Sequence, residues 1–344
     1  MIKDKKAIAL FSGGLDSILS VKYMVSLGYG VFPVFFQTPY LLPDKALNSA
    51  QQNGLQLIVK DISDQHFELL KKPRYGFGRN YNPCIDCHAL MFKIAGGMLQ
   101  ELGADFLISG EVLGQRPKSQ VRDAINAVSK ASEFADLLIR PLSQKLLNPT
   151  LPIREGWVLE EEMLDFHGRG RSRQQHLAKE LGIVNYPQPG GGCLLTDVNF
   201  SLRLSDFFHH SPEDRYQLEL LNFGRHFRLN DTTRLIVGRD ENDNKQIEAR
   251  YKHGIIFLTR DFMGPLGLLI SDDYPPELIR QAASIFLYYN KKAPSKAIVK
   301  YGQRFCLDFS IECEKAVFDT VSSSIICLER DFRFRENDVN KEKP

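Results

Sequence analysis

Ala7-Ile8-Ala9-Leu10-Phe11-Ser12-Gly13-Gly14-Leu15-Asp16-Ser17 is the stretch that decides the fold of this chain. Five consecutive apolar residues fit a strand buried on both faces, and from Leu15 to Leu27 the apolar positions recur at helical spacing. Strand, glycine turn and helix follow one another without a break. The two glycines let the backbone come close to a ligand, while the free amides at the helix start point at anionic oxygens. Ser12 and Ser17 add hydroxyl donors, and Asp16 is placed to hold the Mg2+ that travels with a nucleotide. No lysine follows the turn, which separates it from phosphate loops that end in Gly-Lys and grip a phosphoryl group for transfer.

Outward from this unit, strands and helices alternate. Val31 to Phe36 reads as a second strand, Lys45 to Asn53 as a helix, Leu55 to Val59 as a third strand and His66 to Lys71 as a helix. Ile85 to Leu102 places Leu90, Met91, Ile94, Met98 and Leu102 on one helical face, and Phe106 to Ile108 is a fourth strand. The alternation predicts an α/β fold, a parallel sheet with helices on both faces. Val121 to Gly182 reads as mostly helical, interrupted at Asn148-Pro149-Thr150-Leu151-Pro152, and Tyr186 to Gly192 breaks every regular element. Beyond Asn199, the strand-like runs Thr233 to Val237 and Gly254 to Leu258 and the helix Pro276 to Tyr289 predict a smaller C-terminal α+β domain. The expected divisions are 1–200, 201–335 and a charged tail, 336–344.

The 344 residues carry a formal net charge of +2, so contact with a polyanion must rest on local patches rather than on the overall field. The apolar run after the basic start Met1 to Lys6 is too short for a secretory core, and no segment approaches the roughly 20 apolar residues that span a bilayer. A cytoplasmic protein with no membrane partner is expected. In that compartment, clustered cysteines point to metal or redox chemistry more than to structural disulfides.

Asn82-Pro83-Cys84-Ile85-Asp86-Cys87 sets two thiols three positions apart at a helix start, where the dipole favours thiolate. A third thiol lies in Gly190-Gly191-Gly192-Cys193-Leu194-Leu195-Thr196-Asp197. Cys84, Cys87 and Cys193 suit a 4Fe-4S cluster whose fourth iron is open to an external ligand such as hydrosulfide. Half of a structural zinc site, or a nucleophile and persulfide carrier formed by Cys84 and Cys193, uses the same thiols and stays open. Cys306, Cys313 and Cys327 read as small buried hydrophobes.

Ser12 to Ser17 resembles the PP-loop of the ATP-pyrophosphatases, proteins of the adenine nucleotide alpha-hydrolase-like fold that cleave ATP between the α and β phosphates. Together with Cys84/Cys87, with Ser109-Gly110-Glu111-Val112-Leu113-Gly114-Gln115 after the fourth strand, and with Gly-Gly-Gly-Cys193-Leu-Leu-Thr-Asp, it is similar to the tRNA thiolation branch of that family. Ser109 to Gln115 resembles the tRNA 4-thiouridine synthetases, and the cysteine pair resembles the tRNA 2-thiouridylases. The resemblance covers about the first 200 residues. It implies ATP and Mg2+ on Ser12, Gly13, Gly14, Asp16 and Ser17, with the adenine near Phe36, Ser109 and Gly110. It also implies Asp16, Cys84 and Cys193 as catalytic residues, tRNA as the substrate, and sulfide or a cysteine desulfurase as sulfur donor. The chain departs from the bacterial 4-thiouridine synthetases in starting at the PP-loop and in showing no rhodanese segment.

Phe223 to Gly302 resembles the RNA-binding module of the NFACT family, through Leu235-Ile236-Val237-Gly238-Arg239-Asp240 and Phe262-Met263-Gly264-Pro265-Leu266-Gly267. Arg234, Arg239, Lys245, Arg250, Lys252 and Arg260 are its candidate phosphate contacts, and Arg169-Gly170-Arg171-Ser172-Arg173 is a second basic segment. Two other functions compete. A PP-loop ligase leaves the three cysteines idle, and an RNA-binding protein with a vestigial nucleotide fold leaves Asp16 and both serines unexplained.

Overall fold

Ala7, Ile8 and Ala9 have no exposed surface in the first strand, β1 (Lys6–Leu10), as a strand covered on both faces requires. The computed structural model describes residues 3–116, 119–183, 185–187, 193–303, 306–316 and 326–327. Gly190 to Gly192, the tail 336–344 and the side chain of Cys327 lie outside the described residues. The chain divides into two units, Met1–Leu194 and Leu195–Pro344.

In the first unit, β1 leads to α1 (Leu15–Ser26), β2 (Gly30–Gln37), α2 (Asp44–Gln52), β3 (Ile58–Asp61) and α3 (Ser63–Lys71). The cysteine helix α4 (Cys84–Gly97), α5 (Leu99–Leu102), β4 (Phe106–Ser109), α6 (Arg122–Ala131), β5 (Leu138–Ile139), α7 (Leu151–Arg154) and α8 (Ser172–Glu180) follow. The five strands are parallel in the order β3-β2-β1-β4-β5.

Alternate residues of each strand serve opposite layers, as the two-residue side-chain period demands. Ala7, Ala9, Phe35, Phe106 and Ile108 pack with Ile18 of α1 and Leu177 of α8. Ile8, Val34, Phe36 and Leu107 pack with Phe92 and Ala95 of α4 and Val128 of α6. Between β1 and β4 the strand order reverses, which opens a crevice at the carboxyl ends of these two strands.

The structure corrects three sequence expectations in this unit. The stretch from 121 to 182 is more broken than expected: its helices are short and separated, and between them lies β5, whose two residues are too few to show a period. β3 starts at Ile58, where pairing with Val34 begins, rather than at Leu55. The helix expected over 85–102 is divided at Met98, just after Gly96-Gly97, and the Phe134 ring takes the space that a side chain on Gly96 would need.

The second unit runs α9 (Val198–His210), α10 (Arg215–Leu220), β6 (Arg225–Arg228), β7 (Arg234–Val237), α11 (Glu241–Ala249), β8 (Ile255–Thr259), β9 (Gly267–Ile270), α12 (Pro276–Tyr289), β10 (Lys296–Gln303), β11 (Cys306–Glu314) and β12 (Ile326–Cys327). Its sheet is antiparallel, ordered β11-β10-β8-β9-β7-β6-β12. Leu235 and Val237 pack with α12, whereas Ile236 packs with Tyr216 of α10 and Ile247 of α11.

Two further expectations are corrected here. Cys306 is exposed at the start of β11, while Cys313 is buried as expected. Arg234 does not present its charge to solvent: it is fully buried and pairs with Asp206, which also takes two hydrogen bonds from the buried Arg228, at 3.0 and 2.6 Å. In β7, Arg234 shares its face with core residue Ile236, so its guanidinium needed an internal carboxylate. Arg239, Lys245, Lys252 and Arg260 stay on the surface. No helix among the described residues is long and apolar enough to cross a membrane.

Candidate functional site

Gly13 has φ +77°, and a Cβ there would lie 2.9 Å from the Cα of Ala46, so the loop after β1 closes onto α2 only with glycine. Ser17 is buried, and its hydroxyl donates to the carbonyl of Gly14 at 2.8 Å while lying 3.3 Å from the amide of Ser12. Ser17 therefore shapes the loop from within. Ser12 is exposed at the mouth of the crevice. Phe36 is only 3% exposed and its ring belongs to the layer with Phe92. The ring thus packs the core of that layer.

Gly110, one residue beyond β4, meets the phosphate loop directly. A Cβ at this position would sit 2.4 Å from the backbone oxygen of Asp16 and 2.6 Å from the amide of Ser17. Ser109 is buried at the end of the strand. The Asp16 carboxylate lies in a polar cage: Gln115 Nε2 donates to Oδ2 at 2.6 Å, and Arg171 is 3.5 Å from the same oxygen. Gln174, almost wholly buried, donates to Gln115 Oε1 at 2.8 Å. That bond fixes which end of the Gln115 amide faces Asp16. Asp16 Oδ1 is buried without a hydrogen-bond partner. Burial pushes the Asp16 carboxyl up, against the downward pull of Gln115, Arg171, Arg116 and the nearby Gln174, whose amide makes no geometric hydrogen bond to Oδ1. An orphaned carboxylate oxygen at a phosphate loop fits a divalent cation, so the residues present suit Mg2+.

Cys84 opens α4 and lies 3.2 Å from Asn82 Nδ2. Burial raises the Cys87 thiol well above its ordinary range, and the negative charges of Cys193, Cys84 and Asp86 push it further. The three thiols are thus close enough to feel one another. Among the described residues, no group of three or more His, Cys, Asp or Glu side chains meets the geometry of a metal site. The donor set matches a cluster in chemistry and not in spacing, so no reaction step is derived through one.

Three residues that sequence reasoning passed over tie the cysteine helix to the crevice. His88 Nδ1 lies 3.0 Å from Glu111 Oε1, and Arg140 Nε donates to Glu111 Oε2 at 2.8 Å. Burial acts to raise the Glu111 carboxyl, but the Arg140 charge and His88 overrule it and hold it at about 2. Glu111 and Gln115 belong to the same short segment after β4. The first reaches the thiol helix and the second reaches Asp16, so both groups stand at the carboxyl edge of the sheet.

Residues 3–145 match the family described as thiamine biosynthesis protein (ThiI), and residues 224–316 match the NFACT protein RNA binding domain. A probable tRNA sulfurtransferase of Thermococcus kodakarensis is 29% identical over 143 residues, covering 40% of this chain and 36% of the relative. A tRNA-specific 2-thiouridylase MnmA of Listeria monocytogenes is 20% identical over 281 residues, 75% of this chain and 72% of the relative. The crystal structure of a 4-thiouridine synthetase–RNA complex with bound ATP is 23% identical, covering 52% of this chain and 41% of that one, with a TM-score of 0.37. The chain therefore resembles the ThiI family over residues 3–145 and the NFACT protein RNA binding domain over residues 224–316.

Proposed function

We propose that this chain is an ATP-dependent tRNA sulfurtransferase that adenylates a uracil carbonyl and replaces its oxygen with sulfur, forming 4-thiouridine. The observation that carries the reading is the segment Ser109 to Gln115. Gly110 and Gln115 press on the phosphate loop while Glu111 holds the helix of Cys84 and Cys87, so activation and sulfur delivery share one edge. The ThiI-family match over this region and the NFACT-type RNA-binding domain support the same reading.

The phosphates of ATP lie along Ser12 to Ser17, with the adenine side of the nucleotide toward Ser109 and Gly110. Mg2+, held by Asp16, would neutralise charge on the phosphates. The uracil carbonyl oxygen attacks the α-phosphorus and the bond to pyrophosphate breaks. A sulfur nucleophile brought to the thiols then attacks the activated carbon, the carbon–oxygen bond breaks and AMP leaves; hydrosulfide sheds its proton, whereas sulfur delivered as a persulfide on one of Cys84 and Cys193 is freed when the other thiolate attacks the carrier sulfur, forming a Cys84–Cys193 disulfide that an external thiol reduces. Adenylation supplies the leaving group that a carbonyl oxygen lacks. Asp16, Cys84 and Cys193 are the catalytic residues in this proposal, with a persulfide as carrier; a 4Fe-4S cluster on Cys84, Cys87 and Cys193 would require the three thiols to draw together. Sulfide or a cysteine desulfurase supplies the sulfur, in the cytoplasm. A 2-thiouridylase is the second reading, favoured by the longer match to the MnmA relative.

Mass spectrometry of tRNA nucleosides from a strain lacking this protein, complemented with wild type or with Cys193→Ser, tests the proposal. 4-Thiouridine is lost in the deletion and restored only by wild type; loss of 2-thiouridine instead selects the second reading, and unchanged thionucleosides refute thiolation. Iron content and the visible spectrum after anaerobic purification separate the two carriers.

A further inference from the structure

Beside the crevice at β1 and β4, on the β4–β5 side, the first unit has an open cavity of about 390 Å³ lined by Leu113, Gly114, Arg122, Leu146, His167 and Gly168. Its volume is in the range of small-molecule sites. Its walls are stitched together rather than merely adjacent. The amide of Gly168 donates to the carbonyl of Leu113 at 2.8 Å. The buried Ser143 hydroxyl holds both loops, lying 3.1 Å from the amide of Leu113 and donating to the carbonyl of Phe166 at 2.6 Å. Gly114 and Gly168 both have positive φ, +76° and +79°, and a Cβ on Gly114 would already touch the Gly168 amide at 3.4 Å.

The same two loops continue to the catalytic loop. One residue after Gly114, Gln115 grips Asp16; three residues after Gly168, Arg171 reaches the same carboxylate. The cavity is therefore a second compartment whose walls end on the group expected to carry the metal. A nucleotide on the phosphate loop occupies the first compartment, and the second is left for the molecule to be activated.

We propose that this cavity seats the nucleobase that the enzyme adenylates, an unpaired uracil of the RNA; the assignment rests on the function proposed above. The lining suits a flat ring with a polar edge. Leu113 and Leu146 offer apolar contact, and Arg122, anchored by one bond to the carbonyl of Leu146 at 3.0 Å, keeps further N–H donors for a ring carbonyl. His167 decides between pyrimidines. Its Nδ1 lies 3.1 Å from the carbonyl of Asp165, an acceptor, so in the neutral ring Nδ1 carries the hydrogen and Nε2 is left as an acceptor. Uracil presents N3–H to that acceptor. Cytosine presents a lone pair at N3, which opposes it.

Photo-crosslinking of the full-length protein to a short single-stranded RNA containing 5-bromouridine, followed by mass-spectrometric mapping, tests the assignment. Crosslinks are expected on the peptides carrying Leu113, Leu146 or His167. Unmodified oligouridylate should compete for them roughly tenfold better than oligocytidylate, the discrimination one well-placed pair of hydrogen bonds provides. Leu146→Trp should fill the cavity and remove these crosslinks with ATP binding, read by equilibrium dialysis, unchanged. His167→Ala, a change at an exposed side chain, should keep the crosslinks and abolish the preference for uracil. Crosslinks confined to other peptides, equal competition by the two oligomers, or loss of ATP binding in Leu146→Trp, which would make the occupant adenine, each overturn the assignment. Thiolation of tRNA by wild type is scored separately. Thiolation without cavity crosslinks sinks this site and leaves the proposed function standing, whereas cavity crosslinks without thiolation sink that function and leave the cavity a uracil-binding site with no adenylation assigned to it.

Discussion

Replacing Glu111 with Gln keeps the shape of the side chain and removes its charge, and the cost follows from the geometry. Arg140 is 4% exposed and would be left with no carboxylate at 2.8 Å. Breaking a buried ion pair from one side costs about 3–5 kcal/mol. A second route gives the same size: a carboxyl held at about 2 in the fold, against an ordinary 4.5, contributes about 3 kcal/mol at neutral pH. The folded value is the lower one, so this stability is fully present above about pH 4.5 and is lost as pH falls toward about 2. The single tryptophan, Trp157, lies in the unit Met1–Leu194 and reports its unfolding in urea by fluorescence. At a slope of about 2 kcal/mol per M, Glu111→Gln should lower the midpoint by roughly 1.5 M at pH 7. At pH 3 the gap between wild type and variant should shrink to less than half. Adding Arg140→Met should recover part of the loss, since the pair is then removed together. A variant as stable as wild type at pH 7, or a gap that does not change with pH, would refute the ion-pair reasoning.

Gly110→Ala places a methyl group 2.4 Å from the Asp16 backbone, with backbone rather than a flexible side chain in the way. ATP binding, measured by equilibrium dialysis, should fall at least about tenfold, a loss of about 1.4 kcal/mol, while an unchanged affinity would mean that the loop does not hold the nucleotide. Asp206→Asn leaves Arg228 and Arg234 buried without a counter-charge. It should destabilise the second unit by about 3–5 kcal/mol, seen as earlier hydrogen exchange across β6 and β7, and exchange identical to wild type there would show that the charges are balanced by other means.

The strand–glycine–helix start was legible because three kinds of signal follow one another between Ala7 and Leu27: a run buried on both faces, a turn that only glycine closes, and a helical period. The helix from Pro276 to Tyr289 was legible in the same way. What escaped was tertiary. Glu111 meets His88 and Arg140 across separations of 23 and 29 residues, and no local pattern marks such contacts. Gln115 stood in a recognisable motif, but its partner Asp16 is 99 residues away. Arg234 misled for a simpler reason. In a four-residue strand, a charged residue at the end looks solvated unless the inward face is known, and that face is set by Asp206 from another element. β5 has only two residues, below the length at which alternation can be seen.

The segment from Ser109 to Gln115 has one more consequence. It is short, it follows β4, a strand paired on both sides, and its Glu111 and Gln115 side chains are held by different partners. Were a ligand to shift Gln115 on Asp16 and carry the segment with it, the contact of Glu111 with His88 would change as well. By linkage, whatever free energy nucleotide lends to the arrangement of the thiol helix, occupancy at the thiols returns to nucleotide in equal measure. Any such coupling would change the two affinities by the same factor, whichever station is filled first.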